Sequence, residues 1–408
     1  MAQQELIPHL FRTEYRKIVS VLCQRFGFDH VETAEDIASD TFAVAAQTWG
    51  LNGQPENPVA WLYTVAKNKA KNHLQHNTVF ETKVIQGIKS SSSELYEFDI
   101  DLSPKNILDS QLQMMFAICH PSVPPEAQIG LSLRILCGFG IQEIAEAFLS
   151  NKETINKRLF RAKEKLREEK IKIAFPGPAE IDKRLENVLT TIYLLFNEGY
   201  YSVSQDEVLR KDLCFEAIRL CLMLIENKDT DKPAANAMLA LMYFQASRFD
   251  ARIDKNGEIV LYDEQDTNLW DAGMITKGGY FLNRSATGDA LSKYHLEAII
   301  AYWSTKKEDT HEKWENILQL YNRYLQLEYS PVAALNRTYA LAKANGKQEA
   351  IIEAEKLRLE NNRFYFALLG ELYTGLDNNK AKENFTKALS LAKTRADRQI
   401  IHYKLARL

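Results

Sequence analysis

Apolar residues recur at helical spacing through almost the whole of this 408-residue chain, and no Val/Ile/Thr-rich run alternates as a half-buried strand would. Only 17 glycines and 11 prolines interrupt that pattern, so the expected fold class is all-α. The length suffices for two or three domains with substantial cores. A formal net charge of −3 excludes a nonspecific coat for nucleic acid, and any such contact has to be local. Five scattered cysteines with no CxxC are expected as buried free thiols in a reducing cytoplasm. The opening MAQQELIPHLFRTEYRK has neither the apolar run nor the small-residue cleavage pattern of a signal peptide. The most apolar stretch, 129–141, is short and contains Arg134, so no membrane span is expected.

Punctuation divides the chain. Leu10, Tyr15, Ile18, Val19 and Leu22 form one helical face, and Ile37, Phe42, Val44, Ala45 and Trp49 mark a second helix. The turn-rich Gly50–Pro58 separates that helix from a third, beginning near Val59. Thr78 to Ser103, containing Lys89 and four serines after it, is polar and weakly periodic, as a flexible linker would be. Helical periodicity returns at Asn106. Ala174-Phe-Pro-Gly-Pro178 cannot continue a helix and marks a second boundary. The expected domains are therefore 1–78, a linker 79–105, 106–173, and a larger helical 174–408. That last part is broken by a polar insert at 250–267 and carries a faint repeat near its end. There Ala350, Ala354 and Leu357 are echoed by Ala381, Phe385 and Ala388, a shift of 31 residues, with Leu369-Gly370 and Tyr373 placed as in a tetratricopeptide (TPR) helix.

Charge is concentrated in Asn151–Ile173. From Lys152 to Lys172 there are nine Lys/Arg against four Glu, while Ile155, Leu159, Ala162 and Leu166 make a buried stripe. That stripe leaves Lys152, Thr154, Asn156, Lys157, Arg158 and Arg161 outside. With the short amphipathic 141–148 before it, the stretch reads as a helix-turn-helix whose second helix fits a DNA major groove. Its turn, Leu149-Ser150-Asn151, lacks the usual Gly, and a bare charge run is most often a solvated helix face.

Two further patches favour DNA. No acid occurs between Trp61 and Phe80, and Trp61, Lys67, Asn68, Lys71, Asn72 and His73 combine an aromatic with amides and cations. Splayed bases need that mixture: rings to stack on, amides for base edges, lysines for phosphate. One helix upstream, Glu32, Glu35, Asp36 and Asp40 sit among apolar Ile37, Phe42 and Ala45. An acidic and apolar face suits a protein partner with basic residues.

This order of parts resembles the extracytoplasmic-function (ECF) sigma factors of bacterial RNA polymerase, over roughly 8–172. AEDIASDTFAVAAQTW (34–49) resembles the region that grips the polymerase clamp helices, 50–57 the loop that captures a flipped −10 base, and 58–76 the −10 helix. Residues 138–168, with the pattern from Thr154 to Lys163, resemble the −35 reader. Met115–Pro121, Pro125–Ala127, Tyr193–Tyr200 and Ser330–Arg337 resemble the subgroup with a long TPR-like C-terminal extension.

The resemblance implies two small sigma helical domains and a larger TPR-like one, with no active site, cofactor or metal. Core docking would fall to Glu35, Asp36, Asp40 and Phe42. Asn52, Gln54 and Asn57 would surround the flipped base, and Trp61, Lys67, Asn68, Lys71 and Asn72 would hold its neighbours. Thr154, Asn156, Lys157, Arg158, Phe160 and Arg161 would read the −35 element. The implied partners are the β and β′ subunits of core polymerase, promoter DNA, and a protein or peptide on a regulatory C-terminal domain, all in the cytoplasm. The 50–57 loop is individual, so no promoter sequence follows.

Other sites are excluded on chemistry. Cys119-His120 supplies too few ligands for zinc, Cys214 and Cys221 read as buried thiols, and Glu198 has no base or nucleophile near it in sequence. Gly257 and Gly278-Gly279 lack the strand–loop–helix setting of a phosphate loop. Two rival classes stand beside the sigma factor: a helix-turn-helix regulator with a TPR sensor, and a TPR adaptor. The first leaves the 61–75 helix and the acidic helix without a task, and the second does the same for the basic helix.

Overall fold

The computed structural model describes residues 3–84, 100–148, 150–200, 209–255, 260–288, 290–392 and 395–408. Among these residues there are eighteen α-helices and no strand. Contacts gather the chain into two compact units, Met1–Thr191 and Ile192–Leu408.

The first unit begins with α1 (Gln3–Phe26), α2 (Val31–Asn52) and α3 (Pro58–Val84), which pack on one another. The faces set by periodicity meet in their core: Tyr15, Ile18, Val19 and Leu22 of α1, Ala34, Ile37, Ala38 and Phe42 of α2, Leu62 and Ala66 of α3 are all buried. α2 runs through Gly50 to Asn52, into the expected turn, and stops only where Gly53 at φ +81° supplies left-handed backbone. Asn57 starts α3 by accepting the Ala60 N–H at 3.0 Å on Oδ1.

Of the linker expected at 79–105, the first residues belong to α3 and the last to α4 (Pro104–Ile118), and 85–99 lie outside the described residues. α4 packs against α1, burying Ile107, Leu112, Met115 and Phe116. α5 (Pro125–Leu131) passes into a π-helical turn at Ser132–Leu136, where Cys137 N–H donates to Ser132 O at 3.0 Å. α6 (Ile141–Ala147) and α7 (Lys152–Glu168) follow, α7 lying on both α5 and α6.

The Ala174–Pro178 stretch leads into α8 (Pro178–Tyr200). Phe175 sits edge-on to Phe116 at 5.2 Å, Arg184 donates to Phe116 O at 2.5 Å, and Thr191 Oγ1 donates to Gln128 Oε1 at 2.8 Å. Those bonds hold the chain to the first unit as far as Thr191.

In the second unit α10 (Pro233–Ala246) is buried on nearly every side by α9 (Lys211–Glu226), α11 (Ala272–Ser285) and α12 (Lys293–Trp303). From there each helix packs on the next: α13 (His311–Leu327), α14 (Pro331–Asn345), α15 (Lys347–Leu357), α16 (Arg363–Tyr373), α17 (Asn378–Leu391) and α18 (Arg395–Leu405). Ala350, Ala354, Ala381, Phe385 and Ala388 are buried at the two echoing positions. Gly370 of α16 lies under Phe385, where a Cβ would come within 2.7 Å of the ring. The polar insert is anchored: Lys307 Nζ donates to the carbonyls of Tyr262, Asp263 and Gln265 at 2.8, 3.2 and 3.1 Å. Lys313, 2% exposed, reaches Tyr262 Oη at 3.1 Å. Residues 256–259 of that insert lie outside the described residues.

Candidate nucleic-acid interface

α7 is capped by Asn151, whose Oδ1 accepts the Thr154 N–H at 2.8 Å. Its stripe of Ile155, Leu159, Ala162 and Leu166 is buried, which fixes what faces outward. Thr154, Asn156, Lys157, Phe160 and Arg161 are exposed and Arg158 half-buried. Phe160, 57% exposed, is an aromatic ring on a cationic surface. The Arg158 guanidinium lies 5.8 Å from the Phe148 ring centroid, and Lys157 pairs with Glu153 at 2.6 Å. All six expected −35 residues therefore share one accessible half of the helix.

α3 presents Asn68, Lys71 and Asn72 to solvent, with Lys67 half-buried. Trp61 is half-buried and packs edge-on to Trp49 at 5.3 Å, which makes it in part a core residue. Tyr63 donates to the buried Glu14 at 2.5 Å, and burial with that carboxylate pushes its hydroxyl pKa up. Asn52 and Gln54 are exposed at the end of α2 and in the loop. Asn57, also expected at the −10 base, is exposed and caps α3 through its Oδ1. Leu51, at 86% exposure, is the barest large apolar residue beside these amides, in the last turn of α2.

The acidic patch of α2 comes out differently from the expectation. Asp36 and Asp40 are exposed, Asp40 pairing with Lys69 of α3 at 3.3 Å. Phe42 is a correction: it is 5% exposed and packs on Phe11 with ring centroids 5.1 Å apart. Two residues past Asp40 is about 200° around a helix, which turns Phe42 into the core. Glu32 and Glu35 are engaged from afar. Arg134 of the π turn donates to Glu35 at 2.7 Å, and Lys163 of α7 lies 2.5 Å from Glu32 and 3.7 Å from Glu35. Arg167 of α7 pairs with Glu32 and donates to Phe28 O at 2.8 Å. Partial burial pushes the Glu32 pKa up, and the Lys163 hydrogen bond with Arg167 beside it outweighs that, holding the carboxyl below its usual range. These three cations were missed as partners, because nothing local ties residues 99–135 positions apart.

All five cysteines are buried and free, burial pushing Cys119 up to about 11 and Cys214 to about 12. Among the described residues no group of three His, Cys, Asp or Glu could hold a metal ion, and no helix is long and apolar enough to cross a membrane.

Residues 10–79 match the family model for Sigma-70 region 2, which covers α1 to α3. Residues 184–286 match a model described as a family of unknown function, DUF6596. The chain is 26% identical to the RNA polymerase sigma-H factor of Pseudomonas aeruginosa over 37% of this chain and 79% of that one. It is also 26% identical to the RNA polymerase sigma factor YlaC of Bacillus subtilis over 41% of this chain and 93% of that one. The N-terminal part of the chain is thus similar to sigma-70-type sigma factors. Over nearly its whole length the chain belongs to the family of the uncharacterized protein R00370 of Rhizobium meliloti, at 31% identity over 93% of this chain and 91% of that one. No solved structure matches it.

Proposed function

We propose that the protein is an ECF sigma factor that docks core RNA polymerase through α2, holds melted −10 DNA on α3, and reads the −35 element with the N-terminal half of α7. Its second unit, TPR-like in its run of paired helices with small residues at their crossings, regulates that activity through a protein or peptide partner. The observation that carries the reading is the region 2 match on α1 to α3, followed in the same chain by a capped helix with an exposed, cationic and amide-bearing half. Asp36 and Asp40 supply the acidic face for core, and Asn68, Lys71 and Asn72 the amide and cation row for bases and phosphates. A sigma factor has no chemistry of its own. Binding energy from several short contacts offsets the unstacking of promoter bases, which costs a few kcal/mol per flipped base.

Transcription in vitro with core polymerase, on a library of upstream regions, tests this. Transcripts sharing a two-element motif are expected. If the protein neither starts transcripts nor brings down β and β′, the sigma reading fails and an adaptor takes its place.

A further inference from the structure

We propose that the first unit is latched shut by its own helix-turn-helix: Lys163 and Arg167 of α7, with Arg134, occupy the acids of α2, and core polymerase has to displace them to dock. The inference rests on the reading of α2 as the polymerase-docking helix.

Three cations from two segments converge on two carboxylates of a helix to which neither segment belongs. Two of the three are aimed by second bonds, Arg134 to Phe139 O at 3.2 Å and Arg167 to Phe28 O at 2.8 Å, so the guanidinium groups are set rather than drifting. The charges do not seal a packed seam. Between α2, α5 and α7 lies a cleft of about 340 Å³ lined by Glu32, Glu35, Arg134 and Lys163 over Leu131 and Leu159. Glu32, with 48% of its side chain exposed, leaves its pairs with Lys163 and Arg167 within reach of water and salt, whereas the Glu35 pairs are largely covered. Ion pairs at the rim of an open cleft exchange with other charges more readily than an interdigitated core separates.

The contact also divides labour. Lys163 and Arg167 cover Glu32 and Glu35, Asn156 and Phe160 reach the rim of the same cleft from the first half of α7, and Asp36 stays exposed beside them while Asp40 pairs with Lys69. A basic partner can therefore land on Asp36 and exchange with Lys163 and Arg167, and with Lys69 at Asp40, for the remaining acids, cation for cation. α4 would have to leave α1 as the unit opens, so the ion pairs bias the closed form and do not alone define it.

The test compares full-length wild type with Lys163→Ala/Arg167→Ala for affinity to core polymerase, and for a zero-length carbodiimide cross-link between Lys163 and Glu32 read by mass spectrometry. The wild type is expected to form the cross-link. The double variant is expected to bind core about tenfold more tightly, the two lost pairs having held the closed population. Lys163→Gln alone, milder for folding, should move affinity the same way by about twofold to threefold. Core binding that is unchanged or weaker in both variants overturns the latch while leaving the docking reading intact. Absence of core binding by wild type and variants alike overturns the docking reading and the latch with it.

Discussion

The two halves of α7 are alike in composition and opposite in situation. Both ride on the same buried stripe, and both carry cations on the outward side. In the first half, Asn156, Lys157 and Arg161 face solvent, and in the second, Lys163 and Arg167 close on Glu32. A positive charge on a helix is thus left to solvent or closed into a clamp according to what the rest of the chain brings within about 4 Å of it. Counting charge along the helix cannot separate the two. The separation lies in α2, up to 135 residues away, and in the π turn that delivers Arg134 to the same acids.

Removing the stripe erases the contrast and should have the largest effect. Leu166 is fully buried, and Leu166→Ala should cost about 2–5 kcal/mol, seen as a lowered urea midpoint. Both halves depend on it, so DNA binding and the Glu32 contact should fail together. A midpoint within about 0.5 kcal/mol of wild type would mean that α7 is not held as described. Next in size is Arg161→Ala, which separates the halves. It should take about 1–3 kcal/mol from −35 discrimination in the assembled polymerase and leave stability within about 0.5 kcal/mol. Competition between matched and altered −35 sequences measures the first quantity and urea unfolding the second. Loss of stability without loss of discrimination would move Arg161 from reader to structural residue.

The first half of this picture was legible because it is local. Ile155, Leu159, Ala162 and Leu166 at helical spacing set the inward face, and everything exposed on α7 follows from them. The same holds for Leu10, Tyr15, Ile18 and Leu22 in α1, and for the alanines of α15 and α17 that let helices approach. Where the reading slipped, a longer-range fact decided. Phe42 was grouped with its acidic neighbours, yet the helix turns it onto Phe11. The polar insert does interrupt the α-helices, between α10 and α11, and what its own sequence leaves unseen is that Lys307, 45 residues beyond Tyr262, ties it down through three carbonyls. Composition announces a cation; only the fold announces its partner.

The smallest expected effect sharpens the second half of α7 by acidity. The Glu32 carboxyl is held below its usual value in the folded protein by Lys163 and Arg167, against the opposing influence of partial burial. The unfolded chain therefore binds the proton more readily than the folded one. The stabilising contribution is complete near neutral pH and is lost as the pH falls through the ordinary carboxylate range toward the folded value. Glu32→Gln cannot titrate, so the stability difference between wild type and variant should be constant at neutral pH and shrink toward zero below about pH 4. With Glu32 half exposed, that difference should be a few tenths of a kcal/mol to about 1 kcal/mol, and smaller at high salt. Urea unfolding of both proteins across pH 3 to 7, at about 0.02 and 0.5 M salt, reads it directly. A difference that ignores both pH and salt would mean that Lys163 and Arg167 stand near Glu32 without holding it, and that both halves of α7 are free to meet DNA.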